Sequence, residues 1–420
     1  MRKIALVFPG QGSQYLGMGE KMYHNHEIVK RTFEEASDIL QLNLKKLCFG
    51  DSPEINLTSN TQPAILTVSV AYYRYLTQLY DITPSFLAGH SLGEISALTC
   101  SNAIHFEDAL RIVRRRGLLM QEADAGGTMA SIHGMPSDVL LEICQESSTD
   151  TEIVILSNYN SLQQSVISGH HAAVSRALNQ VSGRGFSATP LSVSSAFHSP
   201  MMRQAAEKFR SELENHTYLP IKYPVLSNVS GFPYLGAESI AGNLFQQMTE
   251  PVQWLDIMNY LIRHQIDTII EIGPKSTLKN LFLSHAPSLI SLSIDMETDR
   301  DSLARILRSK RGYELSFLDL CMTLIVTTRN NNWDQNEYES GVAIPYKRLL
   351  SMQGDAGYNR ENLSDAQYCD LLDTVISILT TKKVPVSEQK QRIQEIALIT
   401  GTERLLSNSD YLWSDIIEKK

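Results

Sequence analysis

Cysteine is sparse in this chain: Cys48, Cys100, Cys144, Cys321 and Cys369 are scattered over 420 positions, odd in number and without a CxxC pair. That pattern argues against a disulfide framework and against a zinc site, and no metal is expected. Long apolar runs are also missing. The opening Met-Arg-Lys-Ile-Ala-Leu-Val-Phe breaks at Pro9-Gly10-Gln11-Gly12, too early for the core of a signal peptide or a membrane span. The cytoplasm is the expected compartment, with no membrane partner. There is no long basic run beyond Arg114-Arg115-Arg116 and the formal net charge is −9, which disfavours nucleic acid as a partner. Nor is there a nucleotide loop. Gly10-Gln11-Gly12-Ser13-Gln14 is followed by no Gly-Lys-Ser/Thr and does not make GxGxxG, although amides exposed beside a helix start can bind a carboxylate or an oxyanion.

What the chain does contain begins with a 43% apolar composition, enough for a large core in two or three domains. Its sharpest local signal is Gly89-His90-Ser91-Leu92-Gly93, placed between the apolar Phe86-Leu87-Ala88 and the helix-competent Glu94-Ile95-Ser96-Ala97-Leu98. Glycines two positions either side of a serine allow a strand to reverse into a helix within a few residues, which holds the hydroxyl at the strand's carboxyl end. This is the pattern of a nucleophile elbow. The amide of Leu92 faces the same space and can stabilise an oxyanion with the help of the helix dipole.

The order of elements predicts an α/β fold. A strand over Ile4 to Phe8 and helical periodicity over Tyr15 to Leu42 and Pro63 to Tyr80 precede the elbow, and a helix over Phe106 to Glu122 follows it. After Gly126-Gly127 the pattern reads strand (128–133), helix (137–146), strands (152–158 and 164–169), helix (172–181) and strand (186–193). That β-α-β-β-α-β order is ferredoxin-like and predicts a small domain over 127–196, inserted into a large domain made of 1–126 and 197–300. His198 falls at the junction, where ligand clefts are usual. A helix over 201–215 and strands near Val225, Asp267 to Ile272 and Ser291 complete the large domain. Residues 301–420 read as a mainly helical C-terminal extension, with apolar patches over Phe317 to Val326 and Tyr368 to Leu379 that are too short to span a bilayer.

On the helix 106–122 the apolar stripe Phe106, Ala109, Val113, Gly117 and Met120 includes Arg116. An inward guanidinium should meet a carboxylate, either the protein's own or a substrate's. Arg114 and Arg115 are expected to face solvent. A serine nucleophile also needs a base, and the residues alone leave that choice open. The chain order of α/β-hydrolases would point to His264 or His285. His90 reads as structural, and His170 and His171 as surface-turn residues.

Seven collinear motifs then carry a resemblance: Phe8-Pro9-Gly10-Gln11-Gly12-Ser13-Gln14, Thr61-Gln62-Pro63-Ala64, Gly89-His90-Ser91-Leu92-Gly93-Glu94, Arg116-Gly117 with Met120-Gln121, Ala196-Phe197-His198-Ser199, Pro251-Val252-Gln253-Trp254 and Glu271-Ile272-Gly273-Pro274. Together they resemble the malonyl-CoA:acyl carrier protein transacylase family, whose fold is an α/β-hydrolase-like large domain with a ferredoxin-like insert. The resemblance implies a Ser-His dyad, with Ser91 as nucleophile and His198 as general base and acid. It implies an oxyanion hole from the amides of Gln11 and Leu92, and the backbone carbonyl of Gln247 as the group orienting the histidine. It also makes Arg116 the clamp for the substrate carboxylate, with Gln62 supporting it and Phe197 disfavouring a methyl-branched acyl group. No cofactor is implied beyond the CoA thioester as substrate and the carrier's phosphopantetheine as acceptor. The partner would be an acyl carrier protein or a synthase's carrier domain, with Arg114, Arg115 and Arg184 as candidate steering charges. Members serving fatty acid synthesis normally end near residue 310. Free-standing enzymes of polyketide or mixed polyketide–peptide assembly lines often continue, and the stretch 330–350 resembles such continuations. The expected function is therefore malonyl transfer to assembly-line carriers, with fatty acid synthesis or an acyl hydrolase clearing stalled carriers as the alternatives.

Overall fold

The computed structural model describes residues 2–51, 53–123, 126–193, 195–307, 317–354 and 365–400. The chain divides into two compact units, Met1–Leu76 with Thr83–Leu303 and Thr77–Ile82 with Ala304–Lys420. The expected extension at 308–316, 355–364 and 401–420 lies outside the described residues.

The first unit is built on a five-stranded parallel sheet. Strands β1 (Ile4–Phe8), β2 (Phe86–Gly89), β7 (Val225–Leu226), β8 (Thr268–Glu271) and β9 (Ile290–Ser293) lie in the order β7-β2-β1-β8-β9. Central β1 is buried along its whole length and reads as an unbroken apolar run, as a parallel strand covered on both faces must. Five helices precede or follow the first two strands: α1 (Glu20–Asn25), α2 (Glu27–Leu40), α3 (Leu44–Phe49), α4 (Thr58–Leu79) and α5 (Leu92–Cys100), with α6 (Phe106–Glu122) next. The single helix expected over 15–42 is in fact two, because Gly17 and Gly19 take positive φ before α1 and His26 is extended between α1 and α2. Helix α4 starts five residues before Pro63, so the proline sits inside it.

Between α6 and the return to the large sheet, β3 (Gly127–His133), α7 (Ser137–Ser147), β4 (Val154–Ser161), β5 (Gln164–His170), α8 (His171–Gly183) and β6 (Ser187–Pro190) form a separate lobe. Its sheet is antiparallel, in the order β4-β5-β3-β6. Leu140, Ile143 and Cys144 of α7 and Ala173, Val174, Ala177 and Val181 of α8 share a core with Ala130, Ile132, Val154, Leu156 and Ile167 of the strands. His170 and His171 do not sit in a turn: the strand passes directly into the helix there. Helices α9 (Arg203–Leu213), α10 (Ile240–Gln247), α11 (Trp254–Arg263), α12 (Thr277–His285) and α13 (Glu297–Ile306) follow. Trp254, Ile257, Met258 and Leu261 of α11 and Leu278 and Phe282 of α12 pack with Ala5, Val7, Ala88 and Ile269.

In the second unit, α14 (Phe317–Thr327), α15 (Gln335–Tyr338), α16 (Ile344–Gly354), α17 (Asp365–Thr381) and α18 (Val386–Thr400) are described. Leu318, Cys321 and Ile325 of α14 pack with Leu371, Leu372, Val375 and Ile378 of α17 and Ile393 of α18. The ammonium of Lys382 is buried and donates to the carbonyls of Ile325 and Thr328, which the end of α14 leaves without helical partners. Among the described residues no helix is long and apolar enough to cross a membrane.

Candidate active site

Ser91 stands between β2 and α5 with φ 52° and ψ −106°, a conformation that side chains other than glycine rarely adopt. The turn around it has no spare room. A Cβ on Gly89 would lie 1.9 Å from the backbone of Gly93, and one on Gly93 would lie 2.0 Å from the carbonyl oxygen of Phe8. Asn228 braces the elbow from the loop after β7, accepting from the Ser91 amide at 2.6 Å and donating to the Gly89 carbonyl at 2.6 Å. The Leu92 amide follows at once in the first turn of α5, where the helix offers it no carbonyl of its own.

His198 comes from the segment that leaves the small lobe after β6. The hydroxyl of Ser168 in β5 donates to the Phe197 carbonyl at 2.8 Å, and Ser199 Oγ donates to the Ala196 carbonyl at 2.7 Å, which fixes the buried His198 at φ 56°. Its Nδ1 lies 2.7 Å from the Gln247 carbonyl oxygen and its Nε2 lies 2.8 Å from Ser91 Oγ. A carbonyl can only accept, so the proton sits on Nδ1 and Nε2 is left to accept from the serine hydroxyl. Burial, then the nearby charge of Arg116, press the His198 pKa down to about 3, against the pull of the Gln247 carbonyl. The imidazole is neutral and ready to take a proton. Phe197, immediately before it, is also buried.

Arg116 is 1% exposed. Its Nη1 donates to Gln62 Oε1 at 3.0 Å, and its Nη2 donates to Gln247 Oε1 at 2.9 Å and to Ser91 Oγ at 3.1 Å, while Nε has no partner among the described residues. Among the described residues no carboxylate touches it. The nearest opposite charge acts through Gln247, whose Nε2 donates to Glu94 Oε2. Burial pulls the Arg116 pKa down to about 10 against the raising effect of Glu94. Glu94 is pushed up to about 7 by its own burial, opposed by Tyr234, Gln247, the Asn228 amide and Arg116. A cation kept dry, with hydrogens unspent and no anion in contact, is suited to receive an anionic group close to the serine.

Why Arg116 lies opposite Gln62 is set one helix away. Pro63 has no N–H to give to the Ser59 carbonyl. Arg114 supplies the missing donor from α6, with Nη1 2.6 Å from Ser59 O and 2.8 Å from Asn60 Oδ1, and Gln121 Oε1 accepts from the Ser59 amide at 3.1 Å. Arg114 is therefore half-buried and engaged rather than free in solvent as its sequence position suggested, and Arg115 is half-buried as well. Arg184 is exposed after α8. In the loop after β1, the Gln11 side chain donates to Thr58 Oγ1 at 3.2 Å.

The histidines favoured by hydrolase chain order are occupied elsewhere. His264 stacks on Tyr260 with ring centroids 4.0 Å apart, and His285 lies 2.9 Å from Asn259 Oδ1. His90 points away from the nucleophile, with Nε2 2.8 Å from Asn160 Oδ1 in the small lobe. Among the described residues no cluster of His, Cys, Asp and Glu could hold a metal ion. Sequence reasoning assigned nothing to Asn228 or Glu94. Only Glu94 left a trace, as a lone charge in the otherwise apolar and small-residue run Leu92 to Leu98.

The model of the acyl transferase domain family matches residues 5–291. A malonyl CoA-acyl carrier protein transacylase of Bacillus subtilis is 40% identical over 401 residues, covering 93% of this chain and 99% of that protein. A protein of the same name from Bacillus subtilis strain 168 is 42% identical over 285 residues, covering 67% of this chain and 90% of its own. Among solved structures, the malonyl CoA-acyl carrier protein transacylase of Coxiella burnetii superposes with a TM-score of 0.71 at 35% identity, over 73% of this chain and 98% of that one.

Proposed function

The chain belongs to the acyl transferase family of malonyl-CoA:acyl carrier protein transacylases, and from that premise we propose that it transfers malonyl groups by way of a malonyl ester on Ser91. The observation that carries the site assignment is one hydroxyl shared by two groups. Ser91 Oγ is 2.8 Å from a neutral imidazole and 3.1 Å from a buried guanidinium. The free carboxylate of a malonyl group stands only two carbons from its thioester carbonyl, so its cation has to lie this close to the nucleophile.

In the first half-reaction the Ser91 oxygen bonds to the thioester carbon as its proton passes to His198 Nε2. Negative charge collects on the carbonyl oxygen, where the amides of Gln11 and Leu92 donate; such donors stabilise the transition state by about 3–4 kcal/mol each. The carbon–sulfur bond then breaks and the imidazolium returns its proton to the departing thiolate of CoA. The malonyl carboxylate displaces Ser91 Oγ from Arg116 Nη2, while Gln62 and Gln247 keep the guanidinium in place. In the second half-reaction the phosphopantetheine thiol of an acyl carrier protein takes the acyl group by the same steps in reverse. No cofactor is required, and the reaction is read as cytoplasmic.

We read 127–196 as a ferredoxin-like insert, supported by its strand order, with 1–126 and 197–300 as the large domain and 301–420 as the extension. For the pathway we favour carriers of a polyketide or mixed polyketide–peptide synthase. What supports this is the shared C-terminal segment: one Bacillus subtilis relative matches almost the whole chain, whereas its shorter namesake matches 285 residues. Brief exposure to malonyl-, acetyl- and methylmalonyl-CoA followed by intact-protein mass spectrometry tests the reading. A malonyl adduct on Ser91 is expected, with little acetyl adduct. Equal labelling by all three, or release of free acid faster than transfer to a carrier, would favour an acyl hydrolase. Phe197→Ala should admit the methylmalonyl group; rejection as strong as in wild type would remove Phe197 from the selectivity.

A further inference from the structure

Glu94 has no part in the reaction as written, yet three donors converge on its fully buried carboxylate. Oε1 accepts from the Tyr234 hydroxyl and from the Asn228 amide, and Oε2 accepts from Gln247 Nε2. Gln247 is the hub of the site. Its Nε2 also donates to the Ser91 carbonyl at 2.9 Å, its Oε1 accepts from Arg116 at 2.9 Å, and its main-chain carbonyl holds His198 at 2.7 Å. The two ends of a primary amide have nearly the same shape and opposite hydrogen-bonding character, so the surroundings must choose which end points where. Ionised, and with two donors already on Oε1, the Glu94 carboxylate can only accept at Oε2. Facing Glu94, Gln247 has to turn its NH2 inward and its carbonyl towards Arg116; the reverse orientation would set amide hydrogens against guanidinium hydrogens.

Resting on the malonyl-transfer reading, we propose that Glu94 is a positioning residue for substrate carboxylate recognition, acting by fixing the orientation of the Gln247 amide so that Arg116 is held with its unspent hydrogens towards the acyl group. Glu94→Gln opposes that choice: the Asn228 main-chain amide keeps the new side chain's oxygen, so its NH2 meets the NH2 of Gln247, and only the Ser91 carbonyl and Arg116 are left to favour the working orientation. Arg116 then loses its fixed acceptor in part of the molecules, and only an acyl group with a carboxylate feels the loss.

Single-turnover acylation of the full-length protein, followed by mass spectrometry across a range of malonyl-CoA and acetyl-CoA concentrations, reads this out. Glu94→Gln should raise the half-saturating malonyl-CoA concentration about tenfold or more, the usual scale for loss of a charged hydrogen bond. The limiting rate and the acetyl-CoA reaction should stay near wild type. Gln247→Met, which keeps the main-chain carbonyl but takes the side-chain acceptor from Arg116, should lose malonyl-CoA at least as severely, and the double variant should be no worse than the poorer single one. Equal losses with malonyl- and acetyl-CoA together with a lower melting temperature would make Glu94 merely structural. Additive losses in the double variant, or wild-type behaviour of Glu94→Gln, would also overturn the proposal. Should Glu94→Gln not fold, Glu94→Asp, whose shorter side chain withdraws the carboxylate from Gln247, decides it by the same malonyl-to-acetyl comparison. A wild-type protein that accepts no malonyl group would instead overturn the transferase reading itself.

Discussion

The buried polar side chains of the C-terminal unit and those gathered at the active site are used differently. In the C-terminal unit Lys382 gives its ammonium hydrogens to the carbonyls of Ile325 and Thr328, Asn332 reaches the Thr381 carbonyl, and Gln389 reaches the Val384 carbonyl. Each cures a main-chain group that a helix end or turn leaves bare. In the first unit Ser91, His198, Arg116, Gln247, Gln62 and Glu94 bond chiefly to one another, and capacity is left over at Arg116. Buried polarity turned to backbone closes a fold. Buried polarity turned to other side chains, with hydrogens unspent, leaves something for a substrate to complete.

The comparison breaks most visibly at the base. His198→Ala should lower malonyl-enzyme formation on the order of 10²–10⁴-fold in a single-turnover assay; a loss of only a few-fold would take the imidazole out of the reaction. Arg116→Ala comes next. It should weaken malonyl-CoA by about ten- to hundredfold while sparing acetyl-CoA, as expected for loss of charged hydrogen bonds made only by a carboxylate. Equal weakening of both thioesters would make the guanidinium structural.

Lys382→Met sharpens the contrast from the other side. It strands two buried carbonyls, so chemical denaturation of the C-terminal unit should show a loss of about 1–3 kcal/mol, while acylation of Ser91 keeps its wild-type rate. A change in acylation alone would contradict the division. The smallest effect is in the pH dependence of stability. With its folded pKa near 3, His198 binds no proton over the range from 6.5 down towards 3 in which an unfolded histidine does. The stability it contributes is present above about pH 6.5 and is lost as pH falls through that window. Denaturation of wild type should therefore weaken more steeply on acidification than that of His198→Ala, and parallel slopes would contradict the buried neutral imidazole.

The sequence exposed those parts of the site that are set by local geometry. Gly89 and Gly93 announce a turn with no room for Cβ atoms, and the three- and four-residue spacing on α6 turns Arg116 inward. The limits of α6 and the order of helices and strands along the small lobe follow from periodicity in the same way. Residues whose partners lie far along the chain were not legible. Asn228 meets the Ser91 amide 137 positions away, and Gln247 meets Glu94 across 153. No periodicity carries such a pairing. The base was open for that reason too, since His198, His264 and His285 differ only in what the fold brings to them. Arg114 is the clearest miss, because it was judged by its place on α6 while its partner is a defect in α4.

That defect limits the order in which the chain can change. Pro63 removes a donor and Arg114 replaces it, so losing Arg114 first strands the Ser59 carbonyl, whereas exchanging Pro63 for alanine first gives Ser59 an amide of its own and makes Arg114 dispensable at that carbonyl. One mutational route between the paired and the unpaired state runs through a weakened intermediate, and the other does not. A proline inside a helix thus works as a ratchet on its neighbour: while it stays, Arg114, two positions before Arg116, has to stay, and so does the helix register that places the clamp over Ser91.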